Sequence, residues 1–173
     1  MRALLVIDLQ KGIISQRDCS NEIDKIRWLI EAFKCKNMPI IFTKHLDENV
    51  ESPLYKNCEG IEIIDNLDIN AKYIVEKSKP DSFFNTNLEK ILKNEGITEL
   101  VVCGFNTEYC CLFTSIVAAD KKVETARFND RKVIVTSTAD AIKNAETLIK
   151  KVLNNEAPVF KAEATDKSEE DTQ

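Results

Sequence analysis

The chain has 173 residues, 43% hydrophobic and 31% charged, with a formal net charge of −5. That length suits one domain with its own core, the composition excludes a disordered polymer, and the acidic balance argues against a nucleic-acid partner. No apolar run is long enough to cross a bilayer, and MRALLVIDLQ lacks a signal-peptide pattern, so a cytoplasmic protein with no membrane partner is expected.

In chain order, Ala3 to Ile7 is a continuous apolar run that ends at Asp8 and reads as a first strand. Asn21 to Lys36 reads as a helix with Ile23, Ile26, Leu29, Ile30 and Phe33 on one face. Pro39 to Thr43 is a second buried strand, and Lys72 to Val75 a short third one. Between them, Leu46 to Asn70 is long and weakly periodic, the pattern of a binding loop or lid. Asn87 to Asn94 is a helix, with Gly96 where a C-terminal glycine belongs. Glu99 to Gly104 is a fourth strand, a helix starts at Thr107, Lys132 to Thr136 is a fifth strand, and a last helix covers Ile142 to Leu153. Strands apolar on both faces belong in a parallel sheet covered by helices. The alternation predicts an α/β fold, a doubly wound three-layer sandwich with a central parallel sheet of five or six strands. The domain is expected over residues 1–160, followed by a charged, disordered tail at 161–173.

Ligands in such sheets sit beyond the carboxyl ends of the strands. Asp8 ends the first strand, Lys77 follows the third, and Cys110 lies in the turn and helix after the fourth. Gly104 permits a sharp turn and Thr107 is a suitable N-cap, which puts Cys110 in the first helical turn. A free thiol with a pKa of ~8.5 is mostly protonated at neutral pH, and a helix N-terminus or a nearby cation such as Lys77 lowers that value. Taken singly, each residue has an ordinary structural reading: a core cysteine, a turn aspartate, a solvated lysine. The six cysteines, Cys19, Cys35, Cys58, Cys103, Cys110 and Cys111, form no C-x-x-C pair and are expected to be free thiols. His45 is the only histidine, so no metal site and no cofactor are expected.

Three segments together resemble the isochorismatase-like cysteine hydrolases, which include nicotinamidases, carbamoylsarcosine amidases and isochorismatases. Ala3-Leu-Leu-Val-Ile-Asp8-Leu-Gln10 is similar to the family's first strand. Lys77-Ser-Lys-Pro-Asp-Ser-Phe83-Phe-Asn-Thr86-Asn-Leu88 resembles its lysine segment. Gly104-Phe-Asn-Thr107-Glu-Tyr-Cys110-Cys-Leu-Phe-Thr114 resembles its nucleophile motif, G-x-x-T-x-x-C. The resemblance covers roughly Ala3 to Ala141 and implies a catalytic triad of Asp8, Lys77 and Cys110. It further implies a cis peptide at Phe105–Asn106 and an oxyanion hole from the backbone N–H groups of Asn106 and Cys110. Phe83, Phe105, Tyr109 and His45 are the expected substrate-binding residues.

The sequence also departs from the family. Where many members have Gly-Tyr leading into the next strand, Asp120 to Arg131 is longer and lacks glycine. Members that bind metal use an Asp-x-His and further histidines, which this chain does not have, so the resemblance implies a metal-free member. The resulting expectation is a homo-oligomeric enzyme that hydrolyses a small amide or related C–N bond through a thioester on Cys110. An isochorismate-type vinyl-ether hydrolase and a catalytically weak binding or redox-responsive protein remain as alternatives.

Overall fold

The computed structural model describes residues 1–120 and 132–135. Its centre is β1 (Arg2–Ile7), which pairs in parallel with β2 (Ile40–His45) on one side and β4 (Glu99–Gly104) on the other. β3 (Tyr73–Lys77) pairs in parallel with β2, and β5 (Lys132–Val135) with β4, giving the order β3-β2-β1-β4-β5.

Side chains alternate across a strand, and β1 shows the result. Leu4 and Val6 enter one core with Ile40, Phe42, Val101 and Cys103. Ala3, Leu5 and Ile7 enter the other with Ile41, Leu100 and Val102. A strand with no polar face must be covered twice. The 16-residue α2 (Ser20–Cys35) covers the first core with Ile26, Leu29, Ile30 and Phe33, spaced along one helical face. α3 (Leu88–Asn94) covers the second with Leu88, Ile91 and Leu92, joined by Cys111 and Ala118 from the segment after β4. Fully burying one such aliphatic or aromatic side chain is worth about 1.5–3 kcal/mol. Asp18 Oδ1 accepts the Ser20 N–H at 3.0 Å at the start of α2, and Gly96, with φ +61°, follows the end of α3.

Several boundaries differ from the sequence expectation, among them β2, which runs on past Thr43 to His45. β3 is Tyr73–Lys77 rather than Lys72–Val75: this edge strand continues through the exposed Glu76, which pairs with Lys44 of β2. The turn after β4 is a π turn, Thr107–Cys111, before α4 (Leu112–Asp120), and its N-cap is Asn106, not Thr107. The strand expected at Lys132 to Thr136 is present over Lys132–Val135, and Thr136 lies outside the described residues. The expected helix at Ile142 to Leu153, the tail at 161–173 and most of the Asp120–Arg131 segment lie outside the described residues.

The loop after β2 lies over a short helix, α1 (Lys11–Ile14), and is pinned there. The Pro53 carbonyl oxygen lies where a Cβ at Gly12 would meet it at 2.2 Å, and one at Gly60 at 1.9 Å, so both positions need glycine. Further along, 3-10 turns at Glu59–Ile61 and Ile64–Asn70 lead into β3. Among the described residues, no helix is long and apolar enough to cross a membrane.

Candidate active site

Asp8 leaves β1 with φ +50°, a left-handed conformation that aspartate tolerates better than most residues. It is wholly buried. At the matching end of β4, Gly104 has φ +121°, and a Cβ there would lie 2.0 Å from the Ile7 carbonyl oxygen. Glycine therefore lets the chain turn off β4 directly beside Asp8. The Phe105 N–H donates to that Ile7 oxygen at 2.9 Å, and the Phe105–Asn106 peptide is cis. Tyr109 and Cys111 then both donate backbone N–H groups to the Asn106 carbonyl at 3.2 Å, closing the π turn that carries Cys110.

Asp8, Lys77 and Cys110 meet at this end of the sheet. The Lys77 ammonium lies 2.7 Å from Asp8 Oδ2, with both side chains fully buried, and donates to Cys110 Sγ at 3.2 Å. It also contacts His45 Nδ1 at 3.1 Å and donates to the Lys79 carbonyl at 3.2 Å. The register explains the histidine contact, since His45 and Lys77 are partners across β2 and β3. Asp8 Oδ1 accepts from the Thr43 hydroxyl at 2.6 Å, and the same hydroxyl oxygen accepts the Asp8 N–H at 3.1 Å. Among the described residues, Asp8 Oδ2 accepts no aligned hydrogen bond; its contact with Lys77 is that of an ion pair.

The Cys110 thiol is pushed up to about 11, first by burial and then by the Asp8 carboxylate, with Lys77 pulling the other way. Lys77 lowers it as expected, but burial and the Asp8 carboxylate outweigh that pull. One cation shared among three other acceptors does not offset burial beside a carboxylate. The resting group is a thiol, with the Asp8 carboxylate beside it. His45 is held below its ordinary value by burial and then by the charge of Lys77. Cys111 is buried in the second core and Cys103 in the first; burial pushes both thiols up, Cys103 to about 12.

A carboxylate oxygen of Asp8, a ring nitrogen of His45 and Cys110 Sγ lie within 4.8 Å of one another, a donor set that resembles a metal site. The Lys77 ammonium already stands among these donors at 2.7–3.2 Å and supplies the positive charge, so the set does not fit a resident metal ion. The other anticipated pocket residues scatter. Phe83 packs into the second core, and Phe105 is only 1% exposed in the first, with the Arg17 guanidinium over its ring at 5.9 Å. Tyr109 is exposed.

Sequence reasoning missed three supporting residues. Thr43, the last residue of the second strand expected from sequence, supports Asp8. Gln10 is fully buried and grips His45 on both sides: its Oε1 accepts the His45 N–H at 2.8 Å, and its Nε2 donates to the His45 carbonyl at 3.0 Å. Ser82, buried, joins the lysine segment to α4: its N–H donates to the Thr114 hydroxyl at 3.0 Å, and the two hydroxyls are 2.8 Å apart. The one available signal was polar residues embedded in otherwise apolar or motif-bearing stretches.

A parallel α/β sheet thus gathers a buried acid, a lysine and a thiol at its carboxyl edge, where such sheets place their ligands. Comparison adds the family: the isochorismatase domain matches residues 2–130, and the chain belongs to the isochorismatase family. It is 32% identical over 115 residues to YddQ, an uncharacterised isochorismatase family protein of Bacillus subtilis, covering 62% of this chain and 64% of that relative. The chain thus spans just under two thirds of that protein's length. It is 38% identical over 132 residues to an Arabidopsis thaliana protein named a probable inactive nicotinamidase, covering 62% of this chain and 67% of the other. Among solved structures, the nicotinamidase of Staphylococcus aureus is 25% identical and superposes with a TM-score of 0.63, covering 88% of this chain and 94% of that one.

Proposed function

We propose that this chain is a hydrolase of a small amide or related C–N bond, with Cys110 as nucleophile, Asp8 as proton carrier and Lys77 as counter-charge. The observation that carries the reading is the Lys77 ammonium within contact distance of both Asp8 Oδ2 and Cys110 Sγ, in a site that excludes water from the acid–lysine pair. Asp8 Oδ2 takes the Sγ proton, and the sulfur attacks the carbonyl carbon to form a tetrahedral oxyanion. The backbone N–H groups of Asn106 and Cys110 receive that oxyanion. Asp8 passes its proton to the departing amine or ammonia, leaving a thioester on Cys110. Water then attacks the thioester carbonyl and gives a proton to Asp8. The tetrahedral intermediate collapses to the carboxylic acid, and the proton on Asp8 returns to the thiolate. Throughout, Lys77 is the positive charge beside Asp8 and the sulfur.

The similarity to a nicotinamidase supports a C–N bond over a vinyl ether, as does a thiol that vinyl-ether hydrolysis has no use for. The relative named a probable inactive nicotinamidase favours a second reading, in which the fold binds a small molecule without efficient turnover. The finer sequence expectations go with the first reading: a domain over residues 1–160, a sheet of five or six strands, a cytoplasmic location and a homo-oligomer. Light scattering across micromolar concentrations tests the last.

The central test is turnover of a panel of small amides, nicotinamide included, by the natural chain and by Cys110→Ala. The mechanism requires that alanine abolish hydrolysis and that mass spectrometry detect an acyl adduct on Cys110. Full activity in Cys110→Ala overturns it, and no turnover of any amide by the natural chain favours the second reading.

A further inference from the structure

We propose that Thr114 is a positioning residue: its hydroxyl braces the loop that follows Lys77 against the helix that follows Cys110, and so sets the distance between the ammonium and the sulfur. The proposal rests on the role of Lys77 as counter-charge to Cys110 and needs no particular substrate.

The sheet alone leaves that distance loosely fixed. In the order β3-β2-β1-β4, Lys77 ends β3 and Cys110 follows β4, three strand spacings away, about 14 Å at the usual separation. The two nevertheless meet at 3.2 Å, so the segments after β3 and β4 lean toward one another over β2 and β1. Thr114 stands where they touch. It lies in α4, one helical turn on from Cys110, and is wholly buried, as is Ser82 of the loop after β3.

A hydroxyl offers one proton and two lone pairs, and this one spends all three on the lysine loop. Its proton goes to the Pro80 carbonyl at 3.3 Å, and its lone pairs face the Ser82 N–H at 3.0 Å and the Ser82 hydroxyl at 2.8 Å. The Pro80 end leads to the cation: the carbonyl of Lys79, the residue before it, accepts from the Lys77 ammonium at 3.2 Å. The Ser82 end is held from its other side, where its carbonyl accepts the Thr86 hydroxyl at 2.6 Å. Valine at 114 would fill nearly the same space but take this partner from the buried Ser82 N–H and from the Pro80 carbonyl. Buried polar groups left without partners are costly, so the loop would shift to satisfy them and draw Lys77 away from the sulfur.

The test reads the thiol itself. Asp8, Lys77 and His45 surround the Cys110 sulfur, and Lys77 is the one that pulls its thiol down. Iodoacetamide alkylation of Cys110 near pH 8, followed by peptide mass spectrometry, therefore reports how close the cation stands. Widening the contact from 3.2 Å to about 4.5 Å at an effective dielectric constant of about 20 lowers the thiolate share, and with it the rate in Thr114→Val, about tenfold. Thr114→Ser keeps the hydroxyl and should restore the natural rate. In a Lys77→Met background the valine should have no further effect, because no cation is left to misplace; a merely structural threonine would change the rate in both backgrounds. Ser82→Ala removes one of the three bonds and should slow alkylation by a smaller factor; if Thr114→Val does not fold, an unchanged rate in Ser82→Ala overturns the proposal. So does an unchanged rate in Thr114→Val, a lack of rescue by serine, or an equal slowing in the Lys77→Met background. A natural rate in Lys77→Met alone would instead remove the counter-charge reading, and this proposal with it. No substrate enters these measurements, so they are independent of the turnover test on Cys110→Ala.

Discussion

Replacing Lys77 by methionine keeps most of the side-chain volume and removes the charge. Both members of the Lys77–Asp8 pair have side chains wholly removed from solvent, so the Asp8 carboxylate would keep one hydrogen bond from Thr43 and lose its only paired cation among the described residues. Breaking a buried pair from one side costs about 3–5 kcal/mol, because the remaining charge is left uncompensated. For a chain of this length that corresponds to a fall of about 6–20 °C in Tm. The double variant Asp8→Asn with Lys77→Met removes the orphaned charge and should recover more than half of the loss. Urea denaturation of the natural chain, both single variants and the double variant closes the cycle. A cost below about 1 kcal/mol for Lys77→Met, or a double variant no more stable than it, would refute the view of Lys77 as the counter-charge of Asp8.

Thr43→Val removes the hydroxyl that serves both Oδ1 and the Asp8 N–H, and should cost about 1.5–3 kcal/mol in urea denaturation, as expected for a hydrogen bond to a charged group. Gly104→Ala sets a Cβ against the Ile7 carbonyl at a φ that alanine disfavours, so circular dichroism should show an unfolded or aggregated chain. The Cys110 thiol, raised to about 11 from an ordinary 9.0, favours the folded state below pH 9 and loses that contribution as pH rises through 11. Stability measured from pH 9 to 11 should therefore decline, and Cys110→Ala should decline less steeply.

The strands were readable because the sheet is covered on both faces, which gives the central strands long apolar runs such as Ala3–Ile7 and Leu100–Cys103. Glu99–Gly104 is found with the bounds its apolar run suggests. The same rule failed at β3, where a charged Glu76 ended the reading at Val75 although an edge strand tolerates it and continues to Lys77. The gathering of Asp8, Lys77 and Cys110 follows from their places after successive parallel strands. Their charge states do not follow, because the thiol depends on burial and on how one ammonium is divided among four neighbours. Nor was the π turn legible: a bond from the Cys111 N–H to the Asn106 carbonyl is set by backbone path rather than by residue type. Gln10 and Thr43 do not stand out in the sequence because their partners are distant in the chain.

The Pro53 carbonyl between Gly12 and Gly60 acts as a peg, and it divides the long loop into parts with different freedom to change. Residues 48–51, exposed ahead of the peg, are free to be lengthened or rewritten, whereas Gly12, Pro53 and Gly60 must be kept as a set. Insertions at 48–51 should therefore leave the fold intact, whereas any side chain added at Gly12 or Gly60 should unseat the loop.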